Sequence, residues 1–180
     1  MKHLYLVRHC QSESQQPEAS LTIEGRTQAE ALANFLVGRS IERIVSSTYA
    51  RARESIEPFA KRIGLGIEFD DRLVEHRLSA RDLPDWMDKL RQSFEDMDIA
   101  FEGGESSRAA MERAVSFVSQ ILKHDTQRTA IVTHGKLMTL LLKHFDERFG
   151  FEDWKKLTNP DVFLVKRDRR LSWNVERLWE

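Results

Sequence analysis

Two arginines and two histidines of this sequence follow short apolar runs, and these side chains together could bind and attack a phosphoryl group. Arg8 and His9 end the first run. Arg51 lies one helical turn beyond the second run, and His134 comes directly after a late run. If the runs are parallel strands, their carboxyl ends meet at one edge of a sheet, where ligands of such sheets bind.

The chemistry that fits this set is phosphoryl transfer. Guanidinium groups bind phosphate oxygens in a bidentate manner and stay charged at any relevant pH. A neutral imidazole can attack phosphorus, and fixed cations stabilise the charge on the equatorial oxygens. A helix that starts at Gly135 or Lys136 would add free backbone N–H groups for an anion.

Three other kinds of phosphate chemistry do not match the sequence. Gly135-Lys136 lacks the earlier glycine and the following Ser or Thr of a Walker A loop. Six residues after Cys10, where a cysteine phosphatase loop has arginine, the sequence has Gln16. No histidine–carboxylate cluster has the spacing of a hydrolytic metal site, so we predict an enzyme without metal or cofactor.

The elements that must position these residues alternate between strand and helix. Period-two or continuous apolar runs predict strands, and apolar residues at i, i+3, i+4 and i+7 predict helices. This order indicates a three-layer α/β/α sandwich with a mostly parallel central sheet and an antiparallel edge. The predicted strands are 2–8, 41–45, 66–69, 129–133, 162–165 and 171–178, the last two joined by a charged turn at 167–170; the predicted helices are 22–37, 52–63, 83–97, 111–122 and 137–145.

Composition indicates a single domain of a reduced, cytoplasmic protein. The 180 residues are 41% hydrophobic and 32% charged, and they hold 28 basic and 29 acidic side chains. The net charge of −1 shows no excess of basic residues for binding nucleic acid or an anionic membrane. The one cysteine, Cys10, allows no intrachain disulfide, and the first apolar run is too short for a signal peptide. We expect a monomer or a homodimer.

Five short segments, in order along the chain, give the sequence a family resemblance. It resembles the histidine phosphatase superfamily, whose members are phosphoglycerate mutase-like. The matching segments are Arg8-His9-Cys10-Gln11-Ser12, Leu21-Thr22 with Gly25 and Gln28-Ala29, Ser46-Ser47 with Arg51-Ala52, Gly103 to Ser106, and Thr133-His134-Gly135.

The resemblance implies a role for each matching residue. His9 would be the nucleophile that becomes phosphorylated, Arg8 and Arg51 would clamp the phosphoryl group, and His134 would stabilise the transition state. Glu75, in a Leu-x-Glu segment, would be the proton donor to the leaving oxygen and then the base for water. The resemblance also assigns substrate contacts on the pocket rim to Gln11, Ser12, Gln15 and Gly135.

Two departures from the family pattern leave alternatives open. Cys10 replaces the usual glycine after the nucleophile, and His76-Arg77-Leu78 replaces an aromatic-Glu-Gly stretch. A phosphatase is favoured because only a small variable insert or lid, at about residues 76–103, separates Glu75 from the Gly-Gly-Glu-Ser segment, and in this superfamily mutases have a longer one. A mutase-type phosphotransferase and an inactive phospho-ligand-binding homologue are the alternatives.

The substrate is expected to be a phosphorylated small molecule, with a phosphoprotein as a second option. The insert carries both basic and aromatic residues, so its sequence fits either an anionic or an apolar leaving group. The basic ones are Arg77, Arg81, Lys89 and Arg91, and the aromatic ones are Trp86 and Phe94.

Overall fold

The computed structural model describes residues 2–167 and 172–179, and a central mixed sheet organises them. The strands are β1 (His3–Arg8), β2 (Arg43–Ser46), β3 (Ile67–Phe69), β4 (Arg128–Thr133), β5 (Asp161–Arg167) and β6 (Trp173–Arg177). Their order across the sheet is β3-β2-β4-β1-β5-β6. The first four are mutually parallel, whereas β5 runs antiparallel to both β1 and β6.

Helices cover both faces of this sheet, which confirms the predicted α/β sandwich. They are α1 (Ile23–Leu36), α2 (Ala50–Ile63), α3 (Trp86–Glu95), α4 (Ser107–Lys123), α5 (Gly135–Phe145) and α6 (Phe151–Lys155). Strand β1 shows how the core divides, because alternate residues point to opposite faces. Leu4 and Leu6 pack in the cluster with α4 and α5, while Tyr5 and Val7 pack in the cluster with α1 and α2.

Local chemistry sets several helix ends. The Thr22 hydroxyl accepts from the N–H of Gly25 at the start of α1, and Ser106 caps α4 through the N–H of Ala109. Helix α2 ends at Gly64, whose φ of 67° lies in the left-handed region that favours glycine. The capping residues Thr22 and Ser106 both lie in segments that the sequence identifies as motifs.

The predicted and observed elements differ most clearly in three places. Helix α3 starts at Trp86, after Leu83 and Pro84 rather than around them, and the five-residue α6 was not predicted. A 3₁₀ turn, Asp71–Leu73, follows β3 and leads to Glu75. The turn predicted at 167–170 lies almost wholly outside the described residues.

No helix among residues 2–167 and 172–179 is both long enough and apolar enough to cross a bilayer.

Candidate active site

The two histidines meet above the neighbouring ends of β1 and β4. The N–H of His9 donates to the carbonyl of Thr133 at 3.1 Å, which continues the parallel pairing of Arg8 with Thr133. The centroids of the His9 and His134 rings are 5.1 Å apart, and both side chains are buried. The expected convergence of the two imidazoles at one sheet edge is therefore present.

Hydrogen bonds determine which nitrogen of His9 carries the proton. Arg51 Nε lies 3.3 Å from His9 Nε2, and a guanidinium N–H can only donate, so Nε2 is the accepting, unprotonated nitrogen. The proton then sits on Nδ1, which donates to the Cys10 carbonyl at 2.6 Å. The lone pair of Nε2 thus faces the guanidinium side of the site.

Burial keeps His9 neutral as well as oriented. Removal from water lowers the pKa of His9 to about 3, and the positive charges of Arg51 and Arg8 act in the same direction. Burial also holds the pKa of His134 well below the usual value for histidine. Both imidazoles are therefore neutral over the ordinary range of pH.

Backbone carbonyls hold the two arginines and leave donors free. Arg51 is 1% exposed, and its Nη1 donates to the carbonyls of Gln15 and Gln16 at 3.2 and 2.9 Å. Arg8 Nη1 donates to Leu157 and Thr158 at 3.2 and 3.3 Å. Arg8 Nε is buried without a hydrogen-bond partner. Unsatisfied donors on a buried guanidinium fit an anion that is itself bound there.

A second buried atom without a partner belongs to His134. Its Nε2 lies 2.8 Å from Ser47 Oγ, while its Nδ1 makes no hydrogen bond. Ser47 Oγ also accepts from the N–H of Tyr49 at 3.3 Å. The Tyr49 ring lies 5.1 Å from the His134 ring and under the Arg51 guanidinium.

Glu75 occupies the start of α5, where a bound anion was expected to lie. Its Oε2 accepts from the N–H of Lys136 at 3.1 Å, and its Oε1 accepts from the N–H of Leu137 at 3.0 Å and of His76 at 2.8 Å. The expectation that the N–H groups at the helix start are free for phosphate is wrong for Lys136 and Leu137, because the Glu75 carboxylate already accepts from both. Glu75 nevertheless lines the same cavity as Arg8 and Arg51.

An ion pair and hydrogen bonds link the Gly-Gly-Glu-Ser segment to the loop that carries Glu75. The Glu105 carboxylate forms an ion pair with Arg113 at 2.6 Å, and Arg113 also donates to the Glu75 carbonyl at 3.4 Å. The His76 ring bonds the Glu105 carbonyl at 2.8 Å. The Thr133 hydroxyl donates to the Leu73 carbonyl at 2.8 Å, which ties the same loop to β4.

The predicted rim residues have different surroundings. Gln15 lines the cavity, whereas Gln11, Ser12 and Gly135 are not among its lining residues. Gln11 Oε1 accepts from the Thr22 hydroxyl at 2.8 Å, and Ser12 Oγ donates to the Ser14 carbonyl at 2.9 Å, so both side chains are engaged near their own loop. A side chain at Gly25 would lie 2.0 Å from the Gln11 carbonyl, which explains why glycine stands there.

Gly135 makes room for an arginine. A Cβ at this position would lie 3.2 Å from three atoms of the Arg8 side chain. The missing side chain therefore lets the Arg8 guanidinium settle against the start of α5. The Thr-His-Gly motif thus provides one imidazole and the space that Arg8 occupies.

Cys10 lies in the core and away from the cavity. Its side chain is fully buried among residues of α1 and α2, and its N–H donates to Ser55 Oγ at 2.8 Å. Burial raises the pKa of the thiol to about 12. Its φ is not positive, so the backbone here accepts a side chain without strain.

The sequence assigned no role to four residues near the site. Tyr49 and Lys136 line the cavity, Ser47 bonds His134, and the Asn159 side chain donates to the His9 carbonyl at 2.8 Å. Ser47 and Tyr49 lie inside the Ser-Ser-x-x-x-Arg segment, which is a signal that could have found them. Nothing in the sequence around Asn159 indicates its contact.

No cluster of three His, Cys, Asp or Glu side chains that could hold a metal ion occurs in the part of the chain that the structure describes.

Comparison with known proteins places the chain in a family. The family model of the histidine phosphatase superfamily, branch 1, matches residues 4–170. The chain belongs to this superfamily. A search of curated proteins found no match.

Solved structures share the fold of this histidine phosphatase domain at low identity. A mycobacterial glucosyl-3-phosphoglycerate phosphatase in complex with inorganic phosphate has a TM-score of 0.81 and 24% identity, with 99% of this chain and 97% of that chain covered. The α-ribazole phosphatase of Shigella flexneri has a TM-score of 0.78, 20% identity, and 99% and 96% coverage. YhfR of Bacillus stearothermophilus has a TM-score of 0.73, 24% identity, and 98% and 96% coverage.

Proposed function

We propose that the protein is a phosphatase that hydrolyses a phosphate monoester through a phosphohistidine on His9. The observation that carries this proposal is the unprotonated Nε2 of a neutral, buried imidazole, held 3.3 Å from a guanidinium nitrogen of Arg51. Such a nitrogen is a nucleophile that needs no base to activate it. Several solved structures of the same fold carry the name of a phosphatase, which is consistent with this choice.

In the first step, Nε2 of His9 attacks phosphorus and the bond from phosphorus to the ester oxygen breaks. Arg8 and Arg51 hold the equatorial oxygens and balance the charge that spreads over them. The free Nδ1 of His134 would donate to a third oxygen. This role requires the proton on Nδ1, so Nε2 must be the accepting nitrogen. Nε2 accepts when the Ser47 hydroxyl donates to it.

The leaving oxygen needs a proton. Of the two carboxyl groups in the lining, Glu75 and Asp82, Glu75 is the one whose charge acts on both Arg8 and Arg51. In the second step the same group takes a proton from water, the water oxygen bonds to phosphorus, and the phosphorus–nitrogen bond breaks. Inorganic phosphate and free His9 are the result. No metal or cofactor takes part in these steps.

The test is phosphate release in a buffer with EDTA, from p-nitrophenyl phosphate and from an alkyl phosphate. We expect the wild-type protein to release phosphate, and His9→Ala to lower kcat/KM by at least about 10³-fold, because the nucleophile is lost. His124→Ala, which removes an exposed histidine, is the matched control and should keep full activity.

Three results would contradict the proposal. Phosphate binding without turnover would indicate an inactive binding protein, and an isomerised product without phosphate release would indicate a mutase. Undiminished activity of His9→Ala would remove His9 as the nucleophile.

A further inference from the structure

The cavity extends far beyond the phosphoryl site. Its volume is about 1060 Å³, at the upper end of the range for sites that enclose whole small molecules. Arg8, Arg51 and Glu75 are only three of its lining residues. The remainder must accommodate the leaving group of the ester, so its walls indicate what that group is.

Part of the lining is apolar and aromatic. It is formed by the segment after Glu75, by α3 and by α6, through Leu78, Leu83, Trp86, Leu90 and Trp154. The rings of Trp86 and Trp154 meet edge to face, with centroids 6.5 Å apart and an interplanar angle of 83°. Trp154 in turn stacks on the buried Phe151 at 5.7 Å. The pair is therefore anchored to the core through Trp154.

Trp86 is the less buried of the two. It is 48% exposed. A half-exposed indole presents a large apolar face to water, and a ligand that covers it gains the free energy of burying that face. A flat ring that packs against Trp86 and Trp154 would cover it.

Two of the four basic residues of the insert, Arg77 and Arg81, line the cavity. Arg81 pairs with Glu102 at 2.7 Å, and Lys89 lies 3.8 Å from Asp85. Neither Lys89 nor Arg91 lines the cavity, and Arg91 lies over the Phe151 ring. Arg77 remains in the lining, so the choice of the apolar leaving group rests on the Trp86–Trp154 pair.

We propose that Trp86 and Trp154 form a subsite for a flat aromatic ring on the leaving group of the phosphate monoester. The inference rests on the proposed phosphatase function and extends it to a substrate class. The ring would pack against the two indoles while the ester phosphate lies between Arg8 and Arg51.

Three esters with similar leaving-group acidity test this subsite: propyl, 3-phenylpropyl and 3-cyclohexylpropyl phosphate. For the wild-type protein we expect kcat/KM for the phenyl ester to exceed that for the propyl ester by at least about 10-fold, since a ring is buried on the wall. The cyclohexyl ester should fall clearly below the phenyl ester. Calorimetric Kd values for His9→Ala with the same esters should follow the same order.

The variants are Trp86→Ala, Trp86→Phe and Trp179→Ala. Trp86→Ala should reduce the ratio of phenyl to propyl kcat/KM to near one, and Trp86→Phe should retain most of it. Trp179 packs on Phe35 of α1 and is the matched tryptophan control, for which the ratio should not change.

The outcomes separate this inference from the proposed function. Turnover of all three esters with equal kcat/KM and equal Kd would overturn the aromatic subsite alone. Equal preference for the cyclohexyl and phenyl rings would show a merely apolar wall and would also overturn it. Absence of turnover, with tighter binding of the phenyl ester that Trp86→Ala abolishes, would refute the phosphatase and support the subsite.

Discussion

Arg51 offers a sharp test of how the site stabilises charge, because it can be changed without losing its positive charge. In Arg51→Lys, one ammonium replaces a planar group whose Nε lies 3.3 Å from His9 Nε2. The Nη1 bonds to the carbonyls of Gln15 and Gln16 fix the orientation of that group. A lysine cannot present two donors to the phosphoryl oxygens in this fixed geometry.

The expected loss follows from the number of donors removed. One or two charge-assisted hydrogen bonds in the transition state contribute about 3 to 4 kcal/mol, so kcat/KM should fall by about 10²- to 10³-fold. Arg53→Lys is the matched control, since Arg53 is exposed on the same helix, and its kcat/KM should stay within about 2-fold of the wild-type value.

A second variant separates charge from geometry. Arg51→Gln removes the positive charge that helps to lower the pKa of His9. The acid limb of the kcat/KM profile should therefore move to higher pH in Arg51→Gln and not in Arg51→Lys. The assay is initial-rate hydrolysis of p-nitrophenyl phosphate from about pH 2 to 8, with circular dichroism to verify folding at each pH. A folded Arg51→Lys protein within about 3-fold of wild type would refute the reasoning.

Three further changes test other parts of the site. Glu75→Gln should lower kcat for alkyl phosphates by about 10²-fold or more but affect p-nitrophenyl phosphate less, since nitrophenolate leaves without a proton; equal losses for both would exclude the acid role. Burial lowers the pKa of Lys136 from 10.5 to about 7. Below about pH 7 the folded state therefore buries a charged ammonium at a cost in free energy, and this cost falls as the pH rises from about 7 towards the pKa of the unfolded state. Urea unfolding should therefore show wild-type stability rising between about pH 6 and pH 9 by roughly 2.5 kcal/mol more than that of Lys136→Met, and parallel curves would contradict this. Cys10→Ala should keep the wild-type kcat/KM and lose about 1 kcal/mol of unfolding free energy, because the thiol packs in the core; a large change in rate would show that it shapes the cavity.

The sequence was sufficient for the features that local patterns encode. Apolar runs and caps predict the strands and most helices, and the position of Arg8-His9 and His134 after parallel strands predicts that the rings meet. The short α6 was missed because five residues give too little periodicity to detect. Trp154 of this helix nevertheless lines the cavity.

Contacts between distant segments could not be read from the sequence. Glu75 takes the N–H groups at the start of α5, and Asn159 holds the His9 carbonyl from 150 residues away. Gln11 and Ser12 lie beside the nucleophile in sequence, yet their hydrogen bonds turn them towards their own loop. Each of these depends on the tertiary path of a loop, which no residue pattern specifies.

The most direct test of the account is to trap the phosphorylated enzyme. The protein is mixed with a ³²P-labelled phosphate monoester, quenched in alkali within milliseconds, digested and sequenced by mass spectrometry. We predict an acid-labile, alkali-stable phosphate on the peptide that contains His9, and none in His9→Ala. A label on any other residue, or rapid turnover without any labelled protein, would contradict the account.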